Sequence, residues 1–433
     1  MRVLSTELIA HDGKQVECAG WLRGVRDLNK LIFLLVADRK GILQAVVKEP
    51  KLVEQAKKLG LENVITLKGT AKKNEKVKNG AELEVSEIEV LSPSASPLPV
   101  DIAGKTKTSF ETRFDHRALD LRGEKQQAVF RVQNSLCQAF REYLVEQGFT
   151  EIHTPKIIAT GTEGGANLFP VIYFGREAFL AQSPQFYKQM LVGAGFERVF
   201  ELAPVFRAEE HDTPFHLNEY VSLDFEMGFV KDETDVMRMT ESAIHAMFER
   251  VVKNNQSDLE IMGVKDFAAP KLPIPVVHYW DVQKTIESMG GKFEDPMADL
   301  GREDEGALCA WAKEKHGSDF VFVDNYPADK RPAYTMPYEK DPKYTRGYDL
   351  LYKGLEIVTG GQRIHNHGAL KAAFEKKGYR PEDFEFYFEI FKFGMPPHGG
   401  QAIGLERITS KILGLDNVRE AAYFPRDKKR LYP

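Results

Sequence analysis

Three cysteines, Cys18, Cys137 and Cys309, are too few and too scattered across 433 residues to build a disulfide framework or a structural zinc site, which fits a reducing compartment. No apolar run approaches the ~20 residues that cross a bilayer. The opening MRVLSTELIAHDG also lacks the basic-then-apolar pattern of a secretory leader. A soluble, cytoplasmic chain with no membrane partner is therefore expected. An excess of positive charge is missing too: the net charge is −5, so a nucleic-acid partner would have to meet a local basic surface. Nor is there a Cys/His or Ser/His/Asp arrangement to supply a covalent nucleophile. What remains is a composition ordinary for a folded protein, 42% hydrophobic and 28% charged, and a chain long enough for two or three domains.

From about residue 15 to 92, VECAGWL, KLIFLLVAD, ILQAVV, NVITLKGTA and AELEVSEIEVLS read as strands, with helical PKLVEQAKKLG between the third and fourth. That order predicts an OB-fold β-barrel, a frequent oligonucleotide binder, with another small barrel as the alternative. SPSASPLPVD at 92–101 can neither extend a strand nor start a helix and marks a linker. The expected division is a barrel over 1–102, a hinge over 103–125 and a second domain over 126–433. There, Val129, Val132, Leu136, Phe140 and Leu144 recur every three or four residues and predict a helix that Gly148 ends. TEIHTPKI should follow as a strand carrying Pro155. Later strands and helices mix without regular βαβ alternation, so the class is α+β with a mostly antiparallel sheet.

Four segments carry chemistry. RVFELAPVFRAE at 198–209 places Arg207 and Glu209 on one strand face, and EYVSLDFEMGFV does the same for Asp224 and Glu226. A solvated hairpin would explain either pair alone, but four same-face charges on apolar strands call for polar partners. In QSPQFYKQML, Ser183 reads as an N-cap with Pro184 at the first helical position, and Gln185 and Lys188 share a helix face. In YDLLYKGLEIVTGGQRI, a turn at Lys353–Gly354 would bring Asp349 and Glu356 together. Two such carboxylates repel unless a cation lies between them, an arrangement that suits Mg²⁺ completed by substrate phosphates. Arg363 follows a glycine pair that permits close backbone approach. In HGGQAIGLERITSKILG, small residues lead into a helix whose first turn carries Glu406 and Arg407, the latter able to meet a phosphate.

Taken in order, these segments resemble the class II aminoacyl-tRNA synthetases, and within them the aspartyl enzymes of the archaeal/eukaryotic type. The Arg-x-Glu strand with its loop and return strand looks like motif 2, GGQAIGLERI like motif 3, and the long helix through Pro155 like motif 1. The resemblance implies a six- or seven-stranded antiparallel catalytic sheet, an anticodon-binding OB-fold, a homodimer across motif 1, ATP as substrate and Mg²⁺ as metal. It implies that Arg207 holds the α-phosphate, that Glu209 accepts from the adenine amino group, and that Tyr220 stacks on adenine where the family usually has Phe. His216 and Arg407 would meet the γ-phosphate end, Arg407 also covering the other adenine face, while Asp349, Glu356 and Thr359 would hold Mg²⁺.

Lys188 and Arg363 stand where aspartyl enzymes grip the substrate's β-carboxylate, whereas asparaginyl enzymes usually lack that lysine. Glu163, in a TEGGANLF segment resembling the loop that closes over aspartate, would with Ser183, Gln185 and Asp224 contact the α-ammonium or fix the pocket, with Thr359 bordering aspartate and metal. In the barrel, Phe33 matches the aromatic that stacks on an anticodon base, with Arg26 and Gln44 beside it. The implied partners are L-aspartate and the aspartate tRNA, with the asparagine tRNA as an open second acceptor. Three positions depart from the family pattern: Ala402 replaces a motif 3 glycine, Thr359 a more frequent Ser, and Phe215 a residue usually basic. The alternatives are an asparaginyl enzyme, an asparagine synthetase-type paralogue without the barrel, and a tRNA-binding scaffold with a dead site.

Overall fold

In the computed structural model, which describes residues 2–104, 106–161, 167–210 and 213–433, the first alternating segments become five strands. They are β1 (Gln15–Asp27), β2 (Ile32–Asp38), β3 (Gly41–Val47), β4 (Val64–Lys73) and β5 (Ala81–Ser92). These close into a barrel in the order β1-β2-β3-β5-β4, with the Pro50–Ala56 helix between β3 and β4. Glu49 caps that helix by accepting from the Lys51 and Leu52 amides. Period two fills the barrel: Ile32, Leu34 and Val36 point inward and are at most 2% exposed.

Two compact units divide the chain, Met1–Thr112 and Arg113–Pro433. The division falls inside the stretch 103–125, which carries two short helices, Phe110–Asp115 and Arg117–Asp120. In the second unit the strands are β6 (Thr150–Glu151), β7 (Ile157–Ile158), β8 (Pro170–Tyr173), β9 (Arg176–Leu180), β10 (Arg198–Phe206) and β11 (Glu219–Gly228). They continue with β12 (Val276–His278), β13 (Phe320–Asp324), β14 (Gly347–Tyr352), β15 (Glu356–Arg363) and β16 (His398–Gly404). Eight of them form one sheet, ordered β12-β13-β14-β15-β16-β11-β10-β6, rather than the six or seven expected. It is antiparallel except at its ends, where β12 runs parallel to β13 and β6 to β10.

TEIHTPKI is not one strand. It splits into β6 and β7, which belong to different sheets. Pro155 has no amide to donate, and the buried Glu201 carboxylate takes the Thr154 amide at 3.0 Å, the Thr154 hydroxyl at 2.8 Å and Lys156 Nζ at 2.7 Å. Side-chain bonds thus replace ladder bonds through the break.

Alternation along the central strands gives the large sheet two unlike faces. Leu223, Phe225, Leu350, Val358 and Ile403 turn to one side and join Val132, Leu136, Phe140 and Leu144 of the Glu124–Glu146 helix, with the Glu233–Asn254 helix, in one apolar core. The alternate residues, Asp224, Glu226, Asp349, Thr359 and Arg363, turn to the other side, where β11, β15 and β16 lie in register. No helix among the described residues is long and apolar enough to cross a membrane.

Two features hold the polar face in shape. At Gly400 an added Cβ would meet Glu226 Oε2 at 2.1 Å and the Phe225 carbonyl oxygen at 2.2 Å, so only glycine lets β16 lie against that carboxylate. At the start of the Leu405–Leu413 helix, buried Glu406 accepts from the Val221 amide through both oxygens at 3.2 Å. Burial pushes this carboxyl up to about 8. The folded chain therefore holds a proton that the unfolded chain releases near ~4.3, and stability falls as pH rises between those values.

Gly400→Ala should lower unfolding free energy by ~1–3 kcal/mol in urea titration, as overpacking of a filled site does; an unchanged midpoint would contradict the close approach. Glu406→Gln keeps an acceptor for Val221 but cannot ionise. Its stability should decline less between pH 5 and 8 than that of the parent chain, and parallel declines would show that Glu406 does not hold the proton.

Candidate active site

The cavity on the polar face, about 280 Å³, is lined from both ends of the second unit, by residues from Gln182 to Val418. Its floor rests on a set of four buried charges, of which Asp224 and Arg363 reach the cavity. Lys188, on the Gln185–Leu191 helix, is 1% exposed; its Nζ lies 2.8 Å from Asp224 Oδ1 and 3.4 Å from Glu226 Oε2, and also donates to the Gln401 carbonyl at 3.0 Å. Arg363 donates from Nε to Glu226 Oε1 at 3.1 Å and from Nη2 to the Gly400 carbonyl at 2.9 Å. Burial opposes ionisation of Glu226, but Arg363 and Lys188 outweigh it and hold the carboxyl below its usual range. Beside it, burial lowers His398 to about 4, which leaves the ring neutral.

Ser183, Gln185, Asp224, Thr359 and Arg363 all line the cavity, but Lys188 does not: it lies behind Asp224, one layer below the surface expected for it. The helix cap is also shifted by one residue. Pro184 occupies the N-cap and Ser183 precedes it, its Oγ accepting the Gln185 amide at 3.3 Å. Glu163 and the TEGGA part of its loop lie outside the described residues.

Toward the open side stand Arg207, Glu209, His216, Tyr220, Glu356 and Arg407. Arg207 and Glu209 fall beyond the end of β10 rather than on the strand, because the chain turns after Phe206. Asn218, which the sequence did not single out, makes that turn: its amide donates to the carbonyls of Arg207 at 2.6 Å and Glu209 at 3.0 Å. Arg207 lies 5.8 Å from the Tyr220 ring centroid, and His216 Nε2 lies 3.9 Å from Glu209 Oε2. Phe215, which stands where a basic residue is usual, carries the Arg302 guanidinium 3.4 Å above its ring, so a distant cation reaches this place.

The turn at Lys353–Gly354 forms as expected, and Asp349 and Glu356 both reach the cavity. A β-bulge shifts their register, so Asp349 lies opposite Thr359 and Glu356 opposite Leu351. The sequence did not reveal Arg331, whose guanidinium grips Asp349 through both nitrogens, nor Glu305, a third carboxylate beside them. Burial, then the charge of Asp349, raises Glu356, while burial, then Glu356, pushes Glu305 up to about 7. Arg407 Nη1 stands 3.7 Å from Glu356 Oε2.

In the barrel, Arg26 and Phe33 are cross-strand partners on β1 and β2, and Gln44 lies opposite Leu35, two residues along the same outward face. Gln44 Nε2 donates to Glu82 Oε2 at 2.9 Å.

A family model described as tRNA synthetases class II (D, K and N) matches residues 109–428, and one described as OB-fold nucleic acid binding domain matches residues 16–91. The Aspartate--tRNA(Asp/Asn) ligase of Methanopyrus kandleri is 46% identical over 428 residues, which span 98% of this chain and 97% of that protein. The Aspartate--tRNA(Asp) ligase of Pyrococcus horikoshii is 42% identical over 427 residues, 98% and 97% of the two chains. Among solved structures, asparaginyl-tRNA synthetase from Pyrococcus horikoshii complexed with asparaginyl-adenylate matches with a TM-score of 0.92 at 32% identity, covering 100% of both chains. On this footing, the chain belongs to the class II tRNA synthetases of the D, K and N group.

Proposed function

We propose that the chain is an aspartate–tRNA ligase. It converts L-aspartate and ATP to aspartyl-adenylate and diphosphate, then transfers aspartate to the 3′ end of the aspartate tRNA, with the asparagine tRNA as a second candidate acceptor. The observation that carries this reading is the charged floor. Lys188 and Arg363 are buried cations beside a small cavity, and Asp224 Oδ2 is buried with no hydrogen-bond partner. An incoming ammonium satisfies Asp224, and a β-carboxylate meets Arg363 at the cavity wall, with Lys188 adding positive charge from behind Asp224. An asparagine amide brings no charge to them, and a lysine side chain would want acids instead. This side-chain argument decides the substrate, because an asparaginyl enzyme shares the backbone so closely. The closed barrel disfavours a paralogue without that domain, and the presence of Arg207, Arg407, Asp349 and Glu356 disfavours a dead scaffold.

The reaction needs no protein nucleophile. The aspartate α-carboxylate attacks the α-phosphorus and diphosphate leaves; a terminal ribose hydroxyl of tRNA then attacks the adenylate carbonyl, releasing AMP. The enzyme supplies position and neutralises charge. Arg207 binds the α-phosphate, Glu209 accepts from the adenine amino group, Tyr220 lies under the ring, and His216 and Arg407 meet the γ-phosphate end. Ser183, Gln185 and Asp224 stand around the ammonium. Phe33 stacks on an anticodon base between Arg26 and Gln44. A homodimer across the Glu124–Glu146 helix and the residues up to Pro155 completes the assembly.

Mg²⁺ fits the residues present. Glu356 and Glu305 are both raised by burial and by like charge, and Glu305 Oε2 is buried without a partner, a crowding that a divalent ion relieves. Among the described residues no group of three or more His, Cys, Asp or Glu forms a ligand cluster, which suits an ion that takes its other ligands from phosphate and water. Asp349, Glu356 and Thr359 would hold it, and it would offset charge on the departing diphosphate.

The test is charging of radiolabelled aspartate and asparagine onto separate aspartate and asparagine tRNA transcripts. Aspartate should be charged onto its own tRNA, and charging onto the second as well marks a non-discriminating enzyme. Asparagine charging, or none at all, would overturn the assignment.

A further inference from the structure

Arg331 sits in the stretch KRPAYT, just after the Ala328–Lys330 turn, and its guanidinium makes its side-chain hydrogen bonds to residues distant in sequence. Nη1 donates to Asp349 Oδ1 and to Thr359 Oγ1, each at 2.9 Å, and Nη2 donates to Asp349 Oδ2 at 2.6 Å. The guanidinium lies 3.7 Å from the Tyr326 ring centroid. Its loop is anchored: Lys377 Nζ donates to the carbonyls of Ala328 and Asp329, both at 3.0 Å.

Both oxygens of Asp349 and the hydroxyl of Thr359 are therefore engaged by a cation that the chain itself supplies. These are two of the three groups assigned above to Mg²⁺. A divalent ion at Asp349 would have to share oxygens that already accept from a guanidinium, and the two cations would repel across a few ångströms, so each weakens the hold of the other. A phosphate, however, offers arginine the same forked geometry as a carboxylate. Arg331 lines the cavity, and its Nε is buried with no hydrogen-bond partner, which leaves one more donor for an incoming anion.

Resting on that metal assignment, we propose that Arg331 is a resident counter-cation that competes with the divalent ion for Asp349 and Thr359. The metal site of the free enzyme is closed, and it opens when nucleotide phosphates draw the guanidinium away. Metal and nucleotide then bind with positive coupling, each raising the affinity of the other.

Mn²⁺, followed by electron paramagnetic resonance, serves as the probe on the full chain, first alone and then with an ATP analogue carrying a non-hydrolysable α–β bridge. Without nucleotide, Arg331→Gln should bind Mn²⁺ about tenfold more tightly than the parent chain, since charge-assisted bonds to Asp349 no longer compete. Adding Asp349→Asn to that variant should abolish the gain. Arg331→Lys, whose single ammonium cannot span both oxygens, should fall between. Equal or weaker Mn²⁺ binding by Arg331→Gln overturns the counter-cation role; if that variant does not fold, Arg331→Lys decides by the same criterion. Asp349→Asn alone, measured with the analogue, separates the two failures. If it leaves Mn²⁺ affinity unchanged, the metal assignment falls and takes the role of Arg331 with it; if it weakens binding while the Arg331 variants gain nothing, only the role of Arg331 falls.

Discussion

Lys188, Arg363, Asp224 and Glu226 are four charges buried within a few ångströms of one another, and the polar half of the second unit is arranged around keeping them paired. Removing a charge from water costs several kcal/mol unless geometry returns it. The return here comes from three elements far apart in sequence. The Gln185–Leu191 helix brings Lys188, β11 presents two acids on alternate positions, and the end of β15 brings Arg363. Gly400 lets β16 approach closely enough for its carbonyl to accept from Arg363. The same four charges are thus a structural joint first, and the proposed aspartate site uses the two of them, Asp224 and Arg363, that reach the cavity.

Much of this was legible in the sequence because it depends on period. The 3.6-residue recurrence of Val132, Leu136, Phe140 and Leu144 marked the core helix, and period two sorted Leu223 and Phe225 from Asp224 and Glu226. The barrel strands and the Lys353–Gly354 turn followed from the same local rules. What failed were statements about where strands stop. Arg207 and Glu209 lie past β10 because the Asn218 amide fixes the turn, and TEIHTPKI breaks because Glu201 supplies side-chain acceptors. Neither contact has a local signature: each joins residues at least nine positions apart whose types are ordinary for loops.

Arg331 shows the same limit more sharply. Asp349 and Glu356 could be read as a pair in need of a cation, and Mg²⁺ was the ion their chemistry suggested. The cation found on Asp349 is instead a guanidinium from a loop 18 residues upstream. Charge balance predicted that a partner must exist but not which one, since a sequence specifies the demand for a counter-charge more readily than its source. Lys188 illustrates the converse. Its place on a helix with Gln185 was read correctly, yet its depth was not, because whether a lysine lines a cavity or lies beneath it depends on the side chain in front, here Asp224.

The central claim is that the buried cations select an anionic substrate, and ATP–diphosphate exchange driven by aspartate or by asparagine tests it most directly. In Lys188→Leu, kcat/KM for aspartate should fall by the equivalent of ~2–5 kcal/mol, while any activity with asparagine falls far less. Near-normal aspartate kinetics in that variant, or equal losses for both amino acids, would contradict the account.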